Sequence, residues 1–191
     1  RFVDVEVRLE GGGTCQGRTR TDATGAYLLA VRPPSGSRLE VWAWSRTVDD
    51  PLRAVTVHDA LPPAADVHGT TDAFRATSAA FAAGSASPVD LLIPYPLHPS
   101  SRPAIGFAVF DVLVGASDAV RAATGSAPPR CHAYTRLGNA GSIGPAWYDD
   151  DANAIAILGG AAGNLDGSDT DYFDDPVIAH EYAHFLESHL S

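Results

Sequence analysis

Asp175-Pro176-Val177-Ile178-Ala179-His180-Glu181-Tyr182-Ala183-His184-Phe185-Leu186 is the stretch on which the reading of this chain turns. Asp175 is a helix cap in type, and Pro176 suits the first helical position, where a missing N–H costs nothing. On a wheel at about 100° per residue, Val177, His180, Glu181, His184 and Ser188 share one face. Ile178, Tyr182, Phe185 and Leu186 share the other, so the helix is expected to lay an apolar face on a sheet. His180-Glu181-Tyr182-Ala183-His184 spells H-E-x-x-H. Residues four apart on a helix lie one above the other, so both imidazoles can reach one metal ion. Glu181 stands beside them as a general base, a set of groups suited to zinc-dependent hydrolysis. His180 and His184 are thus the expected metal ligands and Glu181 the expected catalytic residue.

Zinc in a hydrolase takes three protein ligands and keeps a fourth position open. His189 lies nine residues after His180, about 180° round the helix, and is excluded by angle. The metzincin pattern would need Gly at 187 and His at 190, where this chain has Glu187 and Leu190. His132 precedes the motif on an expected strand and could approach it. His58, His68 and His98 fall in or near the N-terminal half and read as surface or structural residues. The third ligand is therefore expected from beyond Ser191 or from a partner chain.

Upstream of the motif, Ala154 to Leu158, Trp147-Tyr148 and Arg130 to Leu137 read as strands. Ala154 to Leu158 is either the edge strand on which an extended peptide lies or an ordinary buried strand. Asp166, Asp169, Asp171 and Asp174 in the loop Asn164 to Asp175 offer oxygens to calcium, although the spacing is not that of an EF-hand. Ile105 to Ala123 has helical spacing, with Phe107, Phe110, Val114 and Ala122 near one stripe. Before it, Pro94, Pro96, Pro99 and Pro103 mark a stiff connection. The expected division is residues 1–95, a linker over 96–103, and a second domain over 104–191. Helix, strands, then a motif-bearing helix is the order expected of the N-terminal subdomain of a zinc protease.

The first part reads differently. Val3, Val5, Val7 and Leu9 alternate with Asp4, Glu6 and Arg8, the period of a half-buried strand. Thr14 to Thr21, Ala26 to Val31, Leu39 to Trp44, Leu52 to Val57 and Val89 to Ile93 continue a series punctuated by Gly and Pro turns. Strands at this spacing suggest an antiparallel β-sandwich, giving an α+β protein overall. Thr70 to Ser87 reads as a long connection or a short helix. Thr21-Asp22-Ala23-Thr24-Gly25-Ala26-Tyr27 is similar to the T-D-x-x-G-x-Y hairpin of the carboxypeptidase regulatory-like and Cna B-type sandwich families. That resemblance implies a spacer or stabilising module over roughly residues 1–95 and no catalysis there.

Composition narrows the partners. All 13 basic residues are arginine, and the formal net charge is −10. Nucleic-acid phosphates demand a basic surface, so nucleic acid is excluded as an expected partner. After Arg136 there is no further arginine, while ten Asp and Glu follow. Such a field attracts cations or basic partners, or is simply a solvated acidic loop. The apolar run from Ile105 to Val114 reads as too short to span a bilayer. A start at Arg1 without methionine reads as a processed chain. Cys15 and Cys131 are either a disulfide, as an even count in an extracellular chain suggests, or two thiols.

Residues 104–191 resemble secreted bacterial zinc metallopeptidases of the glutamate-zincin type. The carrying segments are Phe107 to Val112, Ala154 to Gly160 and, most specifically, Asp169 to Phe185. Members usually carry Gly where this chain has Ala183, a small-for-small change. The resemblance implies a secreted metalloendopeptidase with a peptide or protein substrate, zinc on His180 and His184, and a third ligand from a glutamate on a later helix. The rival expectation is a non-enzymatic extracellular structural or binding protein that retains the motif.

Overall fold

Alternation of Val3, Val5 and Val7 with charged residues builds the first strand of an α+β chain with two sheets and two helices. The computed structural model describes residues 1–47, 50–69, 72–84, 88–93, 102–136, 139, 146–161 and 170–190. Its contacts form two units, Arg1–Trp44 with Arg75–Ile93, and Ser45–Phe74 with Pro94–Ser191. The second unit is therefore discontinuous in sequence, whereas the sequence reading drew its division at 96–103.

In the first unit, β1 (Asp4–Leu9), β2 (Cys15–Arg20), β3 (Arg38–Trp44), β5 (Arg75–Thr77) and β6 (Phe81–Ala82) form an antiparallel sheet. Its order is β2-β1-β3-β5, with β6 also on β3. Glu6, expected to face solvent, is buried, and Arg8 and Arg18 pair with it at 2.8 and 3.1 Å. A buried carboxylate needs such partners. The turn at Asp22 is held by its own Oδ1, which accepts from the Thr24 and Ala26 amides at 2.7 and 3.0 Å. Gly25 supplies the required φ of 87°.

Two expected strands do not form there. Ala26 to Val31 and Val89 to Ile93 are extended but carry no ladder; Tyr27 instead donates its hydroxyl to the Val89 carbonyl. Arg75 to Thr77 and Phe81-Ala82 are strands, which corrects the reading of 70–87 as a connection or helix. Leu52 to Val57 also leaves the series. Its ordered part, β4 (Val55–His58), is buried at all four residues and belongs to the other unit. A strand covered on both faces suits a parallel sheet rather than a half-solvated one.

The second unit has sheet order β4-β7-β9-β8. β7 (Cys131–Tyr134) runs parallel to β4 and to β9 (Ala154–Ala156), while β8 (Trp147–Asp149) is antiparallel to β9. α1 (Arg102–Thr124) makes the crossover that the parallel β4–β7 pair requires. α1 packs on β4 and on α2 (Asp175–Leu190), and α2 packs on β8 and β9. The buried line of α1 is Ile105, Val109, Phe110, Leu113 and Val114; Phe107 is only half-buried and Ala122 is exposed, contrary to the expected stripe. Gly106 lets α1 approach Phe74, since a Cβ there would sit 2.1 Å from that ring.

Pro103, read as linker, lies in the first turn of α1, while Pro94, Pro96 and Pro99 lie outside the described residues. With the small residues that extend it to Thr124, α1 is long and apolar enough to cross a membrane by length and composition. That corrects the estimate from the Ile105 to Val114 run alone. A buried core helix passes the same test, and 44% of this apolar stretch is buried.

Candidate metal centre

The motif helix starts one residue earlier than its composition suggests. Asp174 is the cap: its Oδ1 accepts from the Val177 amide at 3.2 Å and its carbonyl from Ile178 at 3.0 Å. Asp175 then occupies the first turn, where a negative charge is favoured by the helix dipole. Ile178, Tyr182 and Phe185 are buried and seat the helix, with the Tyr182 and Phe185 rings stacked at 5.5 Å. Tyr148 of β8 meets Phe185 edge-on at 6.0 Å. Burial raises the Tyr182 phenol above its ordinary range.

This seating turns His180 and His184 outward, where both are exposed. Their rings are nearly perpendicular, and the two Nε2 atoms lie 3.1 Å apart. Two imidazole nitrogens on a tetrahedral zinc at about 2.0–2.1 Å would stand about 3.3 Å apart. The pair therefore fits a shared zinc closely. The Glu187 carboxylate is 3.5 Å from His184 Nδ1. A carboxylate on that side favours the Nδ1–H tautomer and leaves Nε2 as the donor to a metal.

Glu181 sits beside the pair and is 7% exposed. It makes no hydrogen bond or ion pair among the described residues. Its side chain opens onto a cleft and not into the core. Glu181 and His184 line a cleft of about 590 Å³, whose helix wall continues through Glu187 and Ser188. The opposite wall is β8 and its flanks: Ala146, Trp147, Tyr148 and Asp150. Ser188 Oγ donates to Asp150 Oδ1 at 3.1 Å across the cleft. Burial raises the Tyr148 phenol, with the Ser188 hydrogen bond acting the other way.

Among the described residues β8 is the last strand of its sheet, and its outer edge lies beside the cleft wall. Of the two readings of Ala154 to Leu158, the ordinary buried strand is the one found. Ala154–Ala156 forms β9, which is buried and paired on both sides.

His189, expected among the core-face residues, is exposed. It donates Nδ1–H to the Phe185 carbonyl at 2.8 Å near the helix end. Asp171 and Asp174, read as calcium ligands, serve the backbone: Asp171 Oδ2 accepts from Ala146 N at 3.2 Å, and Asp174 caps α2. Asp166 and Asp169 lie outside the described residues. Among the described residues, no group of three His, Cys, Asp or Glu side chains is placed to hold a metal. Cys15 and Cys131 are both free, and burial pushes the Cys131 thiol up.

His132 does not approach the motif. It joins His58 and His68, which belong to the second unit and not to the N-terminal sheet. His58 Nδ1 is 2.7 Å from Asp72 Oδ1, and its Nε2 is 2.9 Å from His132 Nδ1. The carboxylate fixes Nδ1–H on His58, so His132 donates from Nδ1. His68 stacks on His132 with centroids 3.8 Å apart. His68 Nε2 lies 2.8 Å from Asp66 Oδ1, and His68 Nδ1 lies 2.8 Å from the Tyr134 hydroxyl, which donates to it. His58 in turn stacks on Tyr134 at 4.2 Å.

Burial lowers His132 to about 3, aided by the charges of His68 and His58. Burial also lowers His58, opposed by Asp72. Register explains the meeting: β4 and β7 pair Thr56 with His132 and His58 with Tyr134. The sequence separation of 74 residues between His58 and His132 hides it. No family model, curated protein or solved structure matches this chain.

Proposed function

We propose that the second unit is the N-terminal subdomain of a secreted bacterial zinc metallopeptidase of the glutamate-zincin type. The observation that carries this is the pair of Nε2 atoms 3.1 Å apart, with Glu181 on the same helix lining the cleft beside them. His180 and His184 hold the metal, and a third ligand comes from outside the described residues. Zinc bound there supplies a Lewis acid that polarises a water and the scissile carbonyl. Glu181 accepts the proton of the attacking water and returns it to the leaving amine. The order crossover helix, strands, motif helix supports the reading, as does the outer edge of β8, unpaired among the described residues, on which an extended peptide can add as a further strand. The N-terminal antiparallel sheet is the spacer module.

Two measurements test this. Stoichiometric zinc on the full chain, lost in His180→Ala, supports the site. Hydrolysis of an unstructured protein, abolished by Glu181→Gln with zinc retained, supports the enzyme. A second reading is favoured by the lack of a third metal-type side chain beside the pair among the described residues. In it the chain is an extracellular binding or structural protein that retains the motif, and no metal binds even under saturating zinc.

A further inference from the structure

Between Asp59 and Asp72 the second unit runs as a flap at the ends of β4 and β7. Its neck is closed twice: the Asp59 amide donates to the Asp72 carbonyl, and His58 Nδ1–H to Asp72 Oδ1, both at 2.7 Å. Along 60–69 little apolar surface is buried. Ala60 packs against Tyr134, Ala152 and Ala154, while Leu61 and Val67 are 54% and 76% exposed. The anchor of the flap is His68, whose side chain is 9% exposed. It lies flat on His132 at 3.8 Å, accepts from the Tyr134 hydroxyl at Nδ1, and has Asp66 beside Nε2. Asn153 adds one long, exposed contact to Asp66 at 3.4 Å.

This clasp works only with neutral rings. His58 Nε2 accepts from His132 Nδ1 at 2.9 Å, and His68 Nδ1 accepts from Tyr134 at 2.8 Å. A further proton enters His58 at Nε2 and His68 at Nδ1, so each displaces the donor it faces. A further proton on His132 enters at its other nitrogen and sets a cation 3.8 Å from the His68 ring and 5.2 Å from the His58 ring. Asp72 and Asp66 favour cations here, whereas Arg130 and the neighbouring rings oppose them. Burial outweighs the carboxylates, holding His58 below its ordinary range and His132 at about 3.

We propose that residues 60–69 form an acid-released flap, clasped by the His132–His58 and Tyr134–His68 hydrogen bonds and let go when the cluster protonates. The device requires no metal and does not rest on the proposed function. Both shifted rings are held below their ordinary range, so the clasp is fully present above about pH 6.5 and is lost as pH falls. Each proton taken up on opening lowers the closed-to-open ratio about tenfold per pH unit. His58 and His132 together set a limit of about a hundredfold per unit. With so few apolar contacts, the flap opens while the sheet beneath it stays folded.

The test is amide hydrogen exchange of the full chain, followed by NMR from about pH 7.5 to about 4.5, with each rate referred to an unstructured chain at the same pH. The Asp59 amide reports the neck of the flap. The Ile157 amide, bonded to the Tyr134 carbonyl at 2.9 Å, reports the sheet. Asp59 protection is expected to fall about ten- to a hundredfold per unit below about 6.5, with Ile157 better protected throughout. His132→Gln keeps a donor for His58 but takes no proton, and is expected to make that fall shallower. Tyr134→Phe removes only the hydroxyl given to His68 and is expected to cost Asp59 about fivefold in protection at neutral pH. His189→Gln, outside the cluster, is expected to change nothing. Asp59 protection that ignores pH overturns the proposal, as does an equal slope in His132→Gln or no loss in Tyr134→Phe. Asp59 and Ile157 exchanging at one common rate at every pH also overturns it, because the flap then never opens apart from the sheet.

Discussion

The second unit holds two sets of histidines that differ in every respect that matters for chemistry. His58, His68 and His132 come from three places in the sequence and stack on one another. Asp72 and His132 occupy the two nitrogens of His58, and Tyr134 occupies Nδ1 of His68. His180 and His184 come from one helix, face solvent, and bring two Nε2 atoms within 3.1 Å. The difference teaches how to tell a structural histidine from a ligand. Counting rings favours the buried trio. Following hydrogen bonds favours the exposed pair, because the His58 nitrogens are taken by Asp72 and His132 and His68 Nδ1 by Tyr134.

The comparison breaks most easily at the metal. His180→Ala or His184→Ala is expected to abolish tight zinc binding, a loss beyond the roughly ten- to hundredfold that a supporting residue is worth. Both exposed substitutions should leave the unfolding midpoint near that of the parent, with isothermal titration and thermal unfolding as the two readouts. His58→Ala should do the opposite. It removes a fully buried ring and leaves Asp72 and His132 without that partner, costing about 2–4 kcal/mol in urea unfolding. Its zinc affinity should be unchanged.

A smaller effect separates the sets by pH. His58 and His132 lie below the usual 6.5 in the fold, so the unfolded chain takes up protons first. Their contribution is therefore fully present above 6.5 and declines as pH falls, until His132 itself protonates near about 3. Asp66 and Asp72 face these rings, and the charges of His68 and Arg130 lower His132 further. Urea midpoints measured across that window should fall less steeply in His132→Gln than in the parent. The smallest effect is at the helix start. Asp174→Ala is expected to cost about 1 kcal/mol and Asp175→Ala only about 0.3–0.5 kcal/mol.

How much of this was legible in the sequence follows from range. The motif helix, its apolar face of Ile178, Tyr182 and Phe185, and the strand at Asp4–Leu9 depend on neighbours a few residues away, and periodicity shows them. The cap was displaced by one residue, because Asp174 and Asp175 are equally good in type. β4 was assigned to the wrong sheet, since nothing local in Val55-Thr56-Val57-His58 says that its partner is β7, more than seventy residues on. The same long-range pairing creates the His58 and His132 contact. In the candidate site, His180, Glu181 and His184 were readable as a motif. Trp147, Asp150 and the β8 edge were not, because only the antiparallel return of β8 onto β9 brings them to the helix.

The most direct test of the central claim, that zinc binds His180 and His184 and not the buried trio, is a long-range ¹H–¹⁵N correlation spectrum of the full chain's seven histidines during zinc titration. The account predicts that the Nε2 resonances of His180 and His184 alone take on metal-bound shifts, saturating together. Zinc-induced shifts at His58, His68 or His132, with the motif pair unmoved, would contradict it.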